Sequence, residues 1–303
     1  MKVTSNTGGT RLAVSLALAD TGKTIEALNR LDSAVSLAEV RLDLMSSFDL
    51  PRLINESPIP LIITCRPLRE DGRFQGTEAE RMEIILEAID LGCAYVDVEW
   101  DCLSALSKRS RSPTKVIASR HWANFMPSSL VLVYNELREQ ADVVKLAGMA
   151  RDHVDVLPIF ELMSSASTPV ITIAMGERGK ITRLLAPCFQ HCFLTYGALD
   201  DASVTAPGQL DIDEMINVYR LHEVGSQTPI HLFLRANAKS AAAAGVMNKN
   251  TKEKLHLSLV VTRPEAAKIA RGILSYLPAC ALTADWELRS VLDDLPVIYG
   301  NYD

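Results

Sequence analysis

The sequence lacks the features that mark membrane-bound, secreted and nucleic-acid-binding proteins. No apolar run is long enough to cross a bilayer, and the N-terminal segment has no signal-peptide pattern. Only 6 cysteines occur in 303 residues, and without a secretory signal we expect them to be reduced thiols. The net charge is −6, and no basic stripe with interleaved aromatic residues is present. These absences predict a cytoplasmic protein that binds neither membranes nor nucleic acid.

The composition, 48% hydrophobic and 22% charged, is that of a globular chain. Strand-like and helix-like segments alternate to about residue 225, and the last of the helices is predicted over residues 211–223. Eight strands are predicted at residues 11–18, 35–42, 61–64, 94–98, 115–118, 141–145, 169–174 and 192–195. Eight β–α units indicate an α/β protein whose parallel sheet closes into a (β/α)8 TIM barrel. We assign residues 1–226 to this barrel and residues 227–303 to a small α/β extension.

A lysine ends the most apolar of the predicted strands. The stretch from Ala141 to Ala147 contains little else that is polar, which suits a parallel strand buried on both faces. A desolvated lysine loses its proton more easily and can attack a carbonyl as a neutral amine. Taken alone, the stretch favours a lysine that simply reaches solvent, so the case for chemistry at Lys145 depends on the residues around it.

Ionisable side chains follow six consecutive strands, at the end of the barrel where TIM-barrel active sites lie. Alternation along the second strand puts Glu39, Arg41 and Asp43 on one face. The later strands lead to Arg66 with Glu70, Asp97 with Glu99, His121, Lys145 and Arg183. Convergent cations suit a small, polyhydroxylated carboxylic acid, whose hydroxyls Glu39 and Gln209 can bind. The residues therefore predict a small-molecule substrate site, with Asp97 and Glu99 as supporting partners.

Six motifs, in order over about residues 10 to 225, resemble type I 3-dehydroquinate dehydratase. They are Glu39-Val-Arg41-Leu-Asp43, Thr64-Cys-Arg66 followed by Glu70, the histidine after the fifth strand, Val144-Lys145-Leu-Ala, Met175-Gly-x-x-Gly179-x-x-Thr-Arg183 and Ala206-Pro-Gly-Gln209. The resemblance implies that Lys145 is the Schiff-base lysine, His121 the general acid/base and Glu70 the carboxylate that orients it. It also implies a substrate site lined by Ser15, Glu39, Arg41, Arg66, Arg183, Thr205 and Gln209. No metal or other cofactor is expected, and the family suggests a homodimer.

The chemistry that the resemblance implies is a dehydration. Lys145 condenses with the C3 ketone of 3-dehydroquinate, and the iminium makes the adjacent C2 proton acidic. His121 removes that proton and then protonates the departing C1 hydroxyl, since a histidine can serve as both base and acid near neutral pH. Hydrolysis of the imine releases 3-dehydroshikimate.

Some positions depart from the family pattern. Four residues, Trp122-Ala123-Asn124-Phe125, follow His121 where the family commonly has Asp-Phe. Threonine stands in place of serine at Thr182 and Thr205, and Asp71 replaces a usual glycine. We expect these changes to alter loop geometry while the key functional groups remain.

Two other interpretations stay open on the residues alone. Another lysine Schiff-base barrel, such as an aldolase, would keep Lys145 but need not keep His121, Arg183 and Gln209 together. A non-catalytic metabolite-binding or scaffold protein would need none of the proton chemistry. Turnover of 3-dehydroquinate separates the three.

The extension begins after a short linker near Gly225. Strands are predicted over 230–234, 257–261 and 279–283, with a strong amphipathic helix over 264–277 and a short one over 287–292. The segment weakly resembles the opening of the shikimate dehydrogenase substrate domain. Asp285, Trp286 and Glu287 stand near the place of that family's catalytic lysine, and no G-x-G-x-x-G is present after them. We therefore expect a non-catalytic remnant of that domain.

Overall fold

The computed structural model describes residues 10–106, 113–199, 205–237, 247–248, 251, 253–277 and 279–299. Within them the chain forms a nine-stranded parallel sheet and, after it, a separate four-stranded one. The strands of the first sheet are β1 Arg11–Leu16, β2 Val35–Arg41, β3 Leu61–Thr64, β4 Tyr95–Glu99, β5 Lys115–Trp122, β6 Val143–Met149, β7 Val170–Met175, β8 Leu194–Ala198 and β9 Leu210–Asp211.

The first sheet is a barrel. Its strands pair in the order β7-β6-β5-β4-β3-β2-β1-β8-β9. The ring closes where Val170 of β7 pairs with Cys192, and the Phe193 N–H donates to the Val170 carbonyl at 2.8 Å. The predicted (β/α)8 TIM barrel is therefore confirmed, with the short strand β9 added beside β8.

The barrel helices are α1 Thr21–Leu28, α2 Leu50–Glu56, α3 Glu78–Asp90, α4 Leu130–Leu137, α5 Leu157–Ser165, α6 Lys180–Leu185 and α7 Ile212–Asn217. Side chains next to the helix starts satisfy free backbone amides there. Asp20 and Asp49 accept from the third residue beyond them, and Thr77 forms a capping box with Glu80. These caps explain why the chain turns into helices at these points.

Two apolar layers hold the barrel together. Outward-facing residues such as Val14, Val40 and Leu146 are buried under the helices. Inward-facing residues fill the barrel below its mouth: Ala13, Leu37, Ile62, Tyr95, Ile117, Val143, Ile171, Leu194 and Tyr196. A TIM barrel is packed in this way rather than hollow. The polar residues at the strand ends therefore rest on an apolar floor.

Two strands run further than the sequence predicts. β5 and β6 stay paired up to Trp122 and Gly148, beyond the predicted ends at residues 118 and 145. As a result His121 and Lys145 both lie within strands, which fixes the direction of their side chains more firmly than a loop would.

Two predicted helices differ from those observed. The sequence predicts the last helix over residues 211–223, but α7 ends at Asn217 because Arg220 adopts a left-handed φ of 47° before a short 3-10 turn. The helix predicted to end near Lys108 is a 3-10 segment, Trp100–Leu106, and its predicted end lies outside the described residues.

The extension forms the second parallel sheet. Its strands are β10 Ile230–Arg235, β11 Leu255–Val260, β12 Cys280–Ala284 and β13 Val297–Tyr299, in the order β11-β10-β12-β13. Its helices are α8 Arg263–Tyr276 and α9 Arg289–Leu292. Three strands and the long helix match the prediction, and β13 is an addition to it. Among the described residues, no helix is long and apolar enough to cross a membrane.

Candidate active site

A cavity of about 150 Å³ opens at the carboxyl ends of the barrel strands. Nine of the ten predicted site residues line it: Glu39, Arg41, Arg66, Glu70, His121, Lys145, Arg183, Thr205 and Gln209. The tenth, Ser15, lies just behind and donates a hydrogen bond to Glu39 at 3.2 Å. The fold therefore gathers all of the predicted residues, which come from separate strands and loops, at one place.

Lys145 projects from β6 and its amine is surrounded by acceptors. Its Nζ lies 2.9 Å from Glu39 Oε1, 2.8 Å from Asp97 Oδ2 and 3.5 Å from the Tyr196 hydroxyl. Only 3% of the residue is exposed. The sequence predicts that burial favours the neutral amine. The burial that this prediction requires is present, and two carboxylates lie within hydrogen-bonding distance of the nitrogen.

Strand register explains how these residues meet. β1 pairs with β2 so that Ser15 lies beside Glu39, and β5 pairs with β6 so that Ser119 lies beside Lys145. Because alternate residues of a strand face inward, each register pair contributes its side chains to the same layer of the barrel. The alternation predicted along β2 holds for Glu39 and Arg41, but β2 ends at Arg41, and Asp43 lies in the 3-10 turn Leu42–Leu44 and does not line the cavity.

Arg66 is held by carboxylates rather than left free for a ligand. Its guanidinium donates to Asp97 at 2.8 Å, to Glu99 at 2.7 Å and to the Ser119 hydroxyl at 2.7 Å. Burial alone would raise the pKa of Asp97, but Arg66 and Lys145 together hold it well below its usual range. Asp97 and Glu99 do not line the cavity, which agrees with the supporting role predicted for them.

Arg183 differs from the other three cations of the cavity. Arg41 pairs in a bidentate manner with Asp43, and Arg66 and Lys145 have the carboxylates described above. Arg183 donates to the Ala174 carbonyl at 2.9 Å and forms no ion pair within the part of the chain that the structure describes. It is 2% exposed, and burial lowers its pKa to about 10, so it stays charged at neutral pH. A buried, uncompensated cation of this kind requires an anion.

His121 and Glu70 form a hydrogen-bonded pair that also lines the cavity. Nδ1 of His121 lies 2.8 Å from Glu70 Oε2. Burial, with the charges of Arg66 and Lys145, lowers the His121 pKa well below its usual range. Burial raises the pKa of Glu70 to about 8, and the charges of Glu99 and Asp97 add to this against the opposing effect of Arg66. Near neutral pH the pair therefore carries no net charge and shares one proton.

The Glu70 turn keeps its shape despite the substitution after it. Asp71 adopts a left-handed φ of 58°, the region that glycine occupies most easily. Aspartate tolerates this region better than most side chains. The backbone direction that positions Glu70 is therefore retained without the usual glycine.

The loop after β8 closes the cavity through Thr205 and Gln209. Thr205 Oγ1 donates to Ser15 at 3.0 Å, and its backbone N–H donates to Gln209 Oε1 at 3.0 Å. Gly208 has a φ of +72°, and a Cβ there would lie 2.1 Å from the Gly176 carbonyl oxygen. Only glycine permits this approach between the two loops at the cavity mouth.

Tyr196 is a site residue that the sequence motifs did not reveal, and its ring forms part of the cavity wall. Its centroid lies 4.8 Å from Lys145 Nζ. Burial, with the charges of Glu39 and Asp97, raises the Tyr196 pKa well above its usual value, so the phenol is neutral. Alternation along β8 could have revealed it, because Leu194, Tyr196 and Ala198 share one face. Within the described residues, no cluster of His, Cys, Asp or Glu has the arrangement of a metal site.

Comparison with known proteins places this chain in a family. The profile of type I 3-dehydroquinase matches residues 12–226. The chain belongs to the type I 3-dehydroquinase family. The predicted family is thereby confirmed, and the match ends where the short linker before the extension begins.

Relatives of the family differ in the region after the barrel. The bifunctional 3-dehydroquinate dehydratase/shikimate dehydrogenase of Arabidopsis thaliana, a chloroplastic protein, is 35% identical over 220 residues, which is 68% of this chain and 36% of that protein. The chain thus spans about a third of that relative's length. The type I 3-dehydroquinate dehydratase of Clostridium difficile, solved with covalently modified comenic acid, has a TM-score of 0.62 at 26% identity over 71% of this chain and 94% of that one.

A third structure includes the extension. Dehydroquinate dehydratase and shikimate dehydrogenase from S. pombe aligns with a TM-score of 0.59 and 22% identity, over 95% of this chain and 59% of that chain. At this identity the likeness concerns the fold alone. The alignment takes in nearly the whole chain, so the fold of most of the extension, as well as that of the barrel, has a counterpart in that structure.

Proposed function

We propose that the chain converts 3-dehydroquinate into 3-dehydroshikimate and water through a Schiff base on Lys145. One observation carries the proposal: a buried amine, a histidine–carboxylate pair and an uncompensated arginine line the same small cavity. An aldolase-type barrel needs only the first of these. A binding or scaffold protein needs no group that can move a proton.

Arg183 binds the substrate carboxylate, because it is the cavity cation that has no carboxylate partner among the described residues. Glu39, Gln209, Ser15 and Thr205 bind the hydroxyl groups through the hydrogen-bonded chain that joins them. Arg41 and Arg66 act in a different way from Arg183. Their partners hold them rigidly, so they contribute positive potential and shape rather than a free fork of donors.

The amine of Lys145 must lose a proton before it attacks the C3 ketone. Glu39 and Asp97 lie beside the nitrogen and stabilise the product of the attack. Once water has left, the iminium nitrogen carries the positive charge that the ammonium carried before. The carboxylates therefore favour the covalent intermediate, and Tyr196 holds the nitrogen against its ring face by a cation–π contact.

His121 removes the C2 proton and returns a proton to the leaving C1 hydroxyl. Its strongly lowered pKa keeps it neutral, as a base must be. The protonation state of Glu70 determines which nitrogen of the His121 ring has a free lone pair. When ionised, it accepts from Nδ1–H and leaves the Nε2 lone pair for the substrate. When protonated, it donates to Nδ1 instead, and Nε2 then carries the hydrogen.

We also propose a division of labour along the chain. Residues 1–226 form the catalytic unit, and residues 227–303 form a unit without dehydrogenase chemistry, since Asp285, Trp286 and Glu287 offer no amine. The proposal also includes that the chain forms a homodimer and that it is located in the cytoplasm. Mass measurement in solution and cell fractionation test these two points.

Reductive trapping tests the function directly. Borohydride added during turnover of 3-dehydroquinate should reduce the imine and inactivate the protein, and peptide mapping should find the adduct on Lys145. The Lys145→Ala variant should lose essentially all formation of the conjugated product, followed by its absorbance, because no other residue supplies the electron sink. An adduct on a different lysine, or turnover by the variant, would contradict the assignment.

A further inference from the structure

The turn after β6 contacts the extension directly. In this turn, His153–Val156, the backbone N–H of His153 donates to Glu265 Oε1 at 2.9 Å. The other oxygen of Glu265 accepts from the backbone N–H and the hydroxyl of Thr262, at 2.9 and 2.7 Å. A single carboxylate therefore caps α8 and ties its first turn to the strand that carries Lys145.

A second contact fixes the angle of α8 on the barrel. Gly272 lies two helical turns beyond Glu265 and packs against Leu157 at the start of α5. A Cβ at Gly272 would lie 2.3 Å from Leu157 Cδ2, so the two helices meet without a side chain on the α8 side. Because residues seven apart lie on one helix face, both contacts face the barrel.

The buried imidazole of His153 carries the contact onward to the cavity mouth. The turn that carries it packs against α8 of the extension and against the 3-10 turn Glu177–Gly179 in the β7–α6 connection. That connection also holds Gly176, whose N–H donates to the Pro207 carbonyl at 2.9 Å. These contacts thus form one continuous series, which runs from the extension to the β6–α5 turn, then to the β7–α6 connection and to the loop of Thr205 and Gln209.

We propose that the extension positions the substrate-binding loops of the barrel, with Glu265 as the positioning residue. Glu265 is far from the chemistry and acts through His153 and the β7–α6 connection, which leads into the helix of Arg183. The inference rests on the proposed function, because it concerns binding of the same substrate. It assigns the extension a role in substrate affinity rather than a reaction of its own.

The Glu265→Ala variant of the full chain tests this role. The KM for 3-dehydroquinate should rise roughly three- to tenfold while kcat stays within about twofold, as for other mutations that weaken coupling between distant sites. Glu265→Gln keeps one acceptor for the His153 N–H and should restore most of the affinity. Borohydride should still label Lys145 in both variants.

A matched control separates positioning from general destabilisation. Asp294→Ala breaks the exposed Arg271–Asp294 ion pair within the extension, away from the barrel contact, and should leave KM unchanged. An unchanged KM in Glu265→Ala, or an equal rise in Asp294→Ala, would overturn the inference. Each experiment also measures turnover of 3-dehydroquinate by the unmodified protein. Absence of that turnover would contradict the proposed function, and it would be seen independently of the result for Glu265→Ala.

The coupling can also be measured without any variant, because linkage is reciprocal. If substrate-site loops and extension are coupled, the borohydride-reduced adduct on Lys145 should slow amide hydrogen exchange at His153 and in the first turn of α8. Exchange in the distal helix α9 should not change. Identical exchange at His153 and α8 with and without the adduct would refute the inference, even if Glu265→Ala fails to fold.

Discussion

The barrel and the extension are both parallel sheets with charged residues at the ends of their strands, yet these charges are paired differently in the two. In the extension, Arg235 ends β10 and Asp285 follows the neighbouring strand β12. The two form an ion pair at 3.6 Å, and Asp285 also accepts from the Ala236 N–H at 2.9 Å. In the barrel, Arg183 has no such carboxylate among the described residues. The difference lies in charge compensation: compensated charges hold a structure together, whereas a buried uncompensated one leaves binding energy for a ligand.

The largest effect after loss of Lys145 should come from the proton carrier. His121→Ala should lower kcat by about 10²–10⁴-fold, the usual contribution of general acid–base catalysis, while the imine on Lys145 still forms. His231→Ala, a partly buried histidine of the extension, is the matched control and should leave kcat unchanged. Equal kcat values for His121→Ala and the unmodified protein would remove His121 from the mechanism.

Loss of the uncompensated cation should chiefly weaken binding. Arg183→Ala should raise the KM about 10- to 100-fold, since a charge-assisted hydrogen bond contributes about 1.5–3 kcal/mol. The control Arg271→Ala removes an exposed arginine of the extension and should not alter KM. If Arg183→Ala lowered kcat and left KM intact, the arginine would act in the transition state rather than in binding.

Glu70→Gln should change the pH profile more than the maximal rate. With Glu70 at a pKa of about 8, kcat/KM of the unmodified protein should rise with pH up to about that value, as ionised Glu70 frees Nε2 of His121. The glutamine of the variant can accept a hydrogen bond from Nδ1–H of His121 at every pH. The kcat/KM profile of Glu70→Gln should therefore lack this rise with pH. If kcat/KM of Glu70→Gln still rose with pH in the same range, a group other than Glu70 would be responsible for the rise.

The pH dependence of stability provides an independent measure of the raised pKa of Glu70. The folded-state pKa of Glu70 lies above the ordinary 4.5, so the stability it contributes is complete below about 4.5 and is lost as pH rises through about 8. Glu70→Gln should therefore gain in melting temperature relative to the unmodified protein between pH 5 and pH 9. A constant difference would show that Glu70 is ionised at all these pH values.

Removal of the extension should have the smallest effect on the chemical step. A chain cut near Gly225 should keep kcat within a few-fold, but it should melt at lower temperature because the α5 surface under α8 becomes exposed. Its KM should rise as in Glu265→Ala, and its mass in solution reveals any change of assembly. An unchanged melting temperature and mass, or shikimate-dependent NADP reduction by the full chain, would contradict this division of labour.

The sequence was sufficient for the fold class and for ten of the candidate site residues, although it missed Tyr196. Eight alternating strand and helix patterns define a barrel whatever the loops do, and alternation within β2 already puts Glu39 and Arg41 on one inner face. Lys145, His121 and Arg183 could be placed at the barrel mouth because they end or follow predicted strands, and the active sites of such barrels lie at the carboxyl ends of the strands. Boundaries such as the break at Arg220 escaped because they depend on backbone angles that no pattern encodes.

Charge state and long-range contact depended on the tertiary structure. The sequence showed four cations, but only the packed barrel shows that three have carboxylate partners and that Arg183 has none among the described residues. It also shows Tyr196 against the amine and Glu265 against the turn after β6, a contact between residues 112 apart in the chain. The physical reason is that pairing and desolvation depend on distances in space. Residue types and periodicity specify which way side chains face, but only folding determines which of them meet.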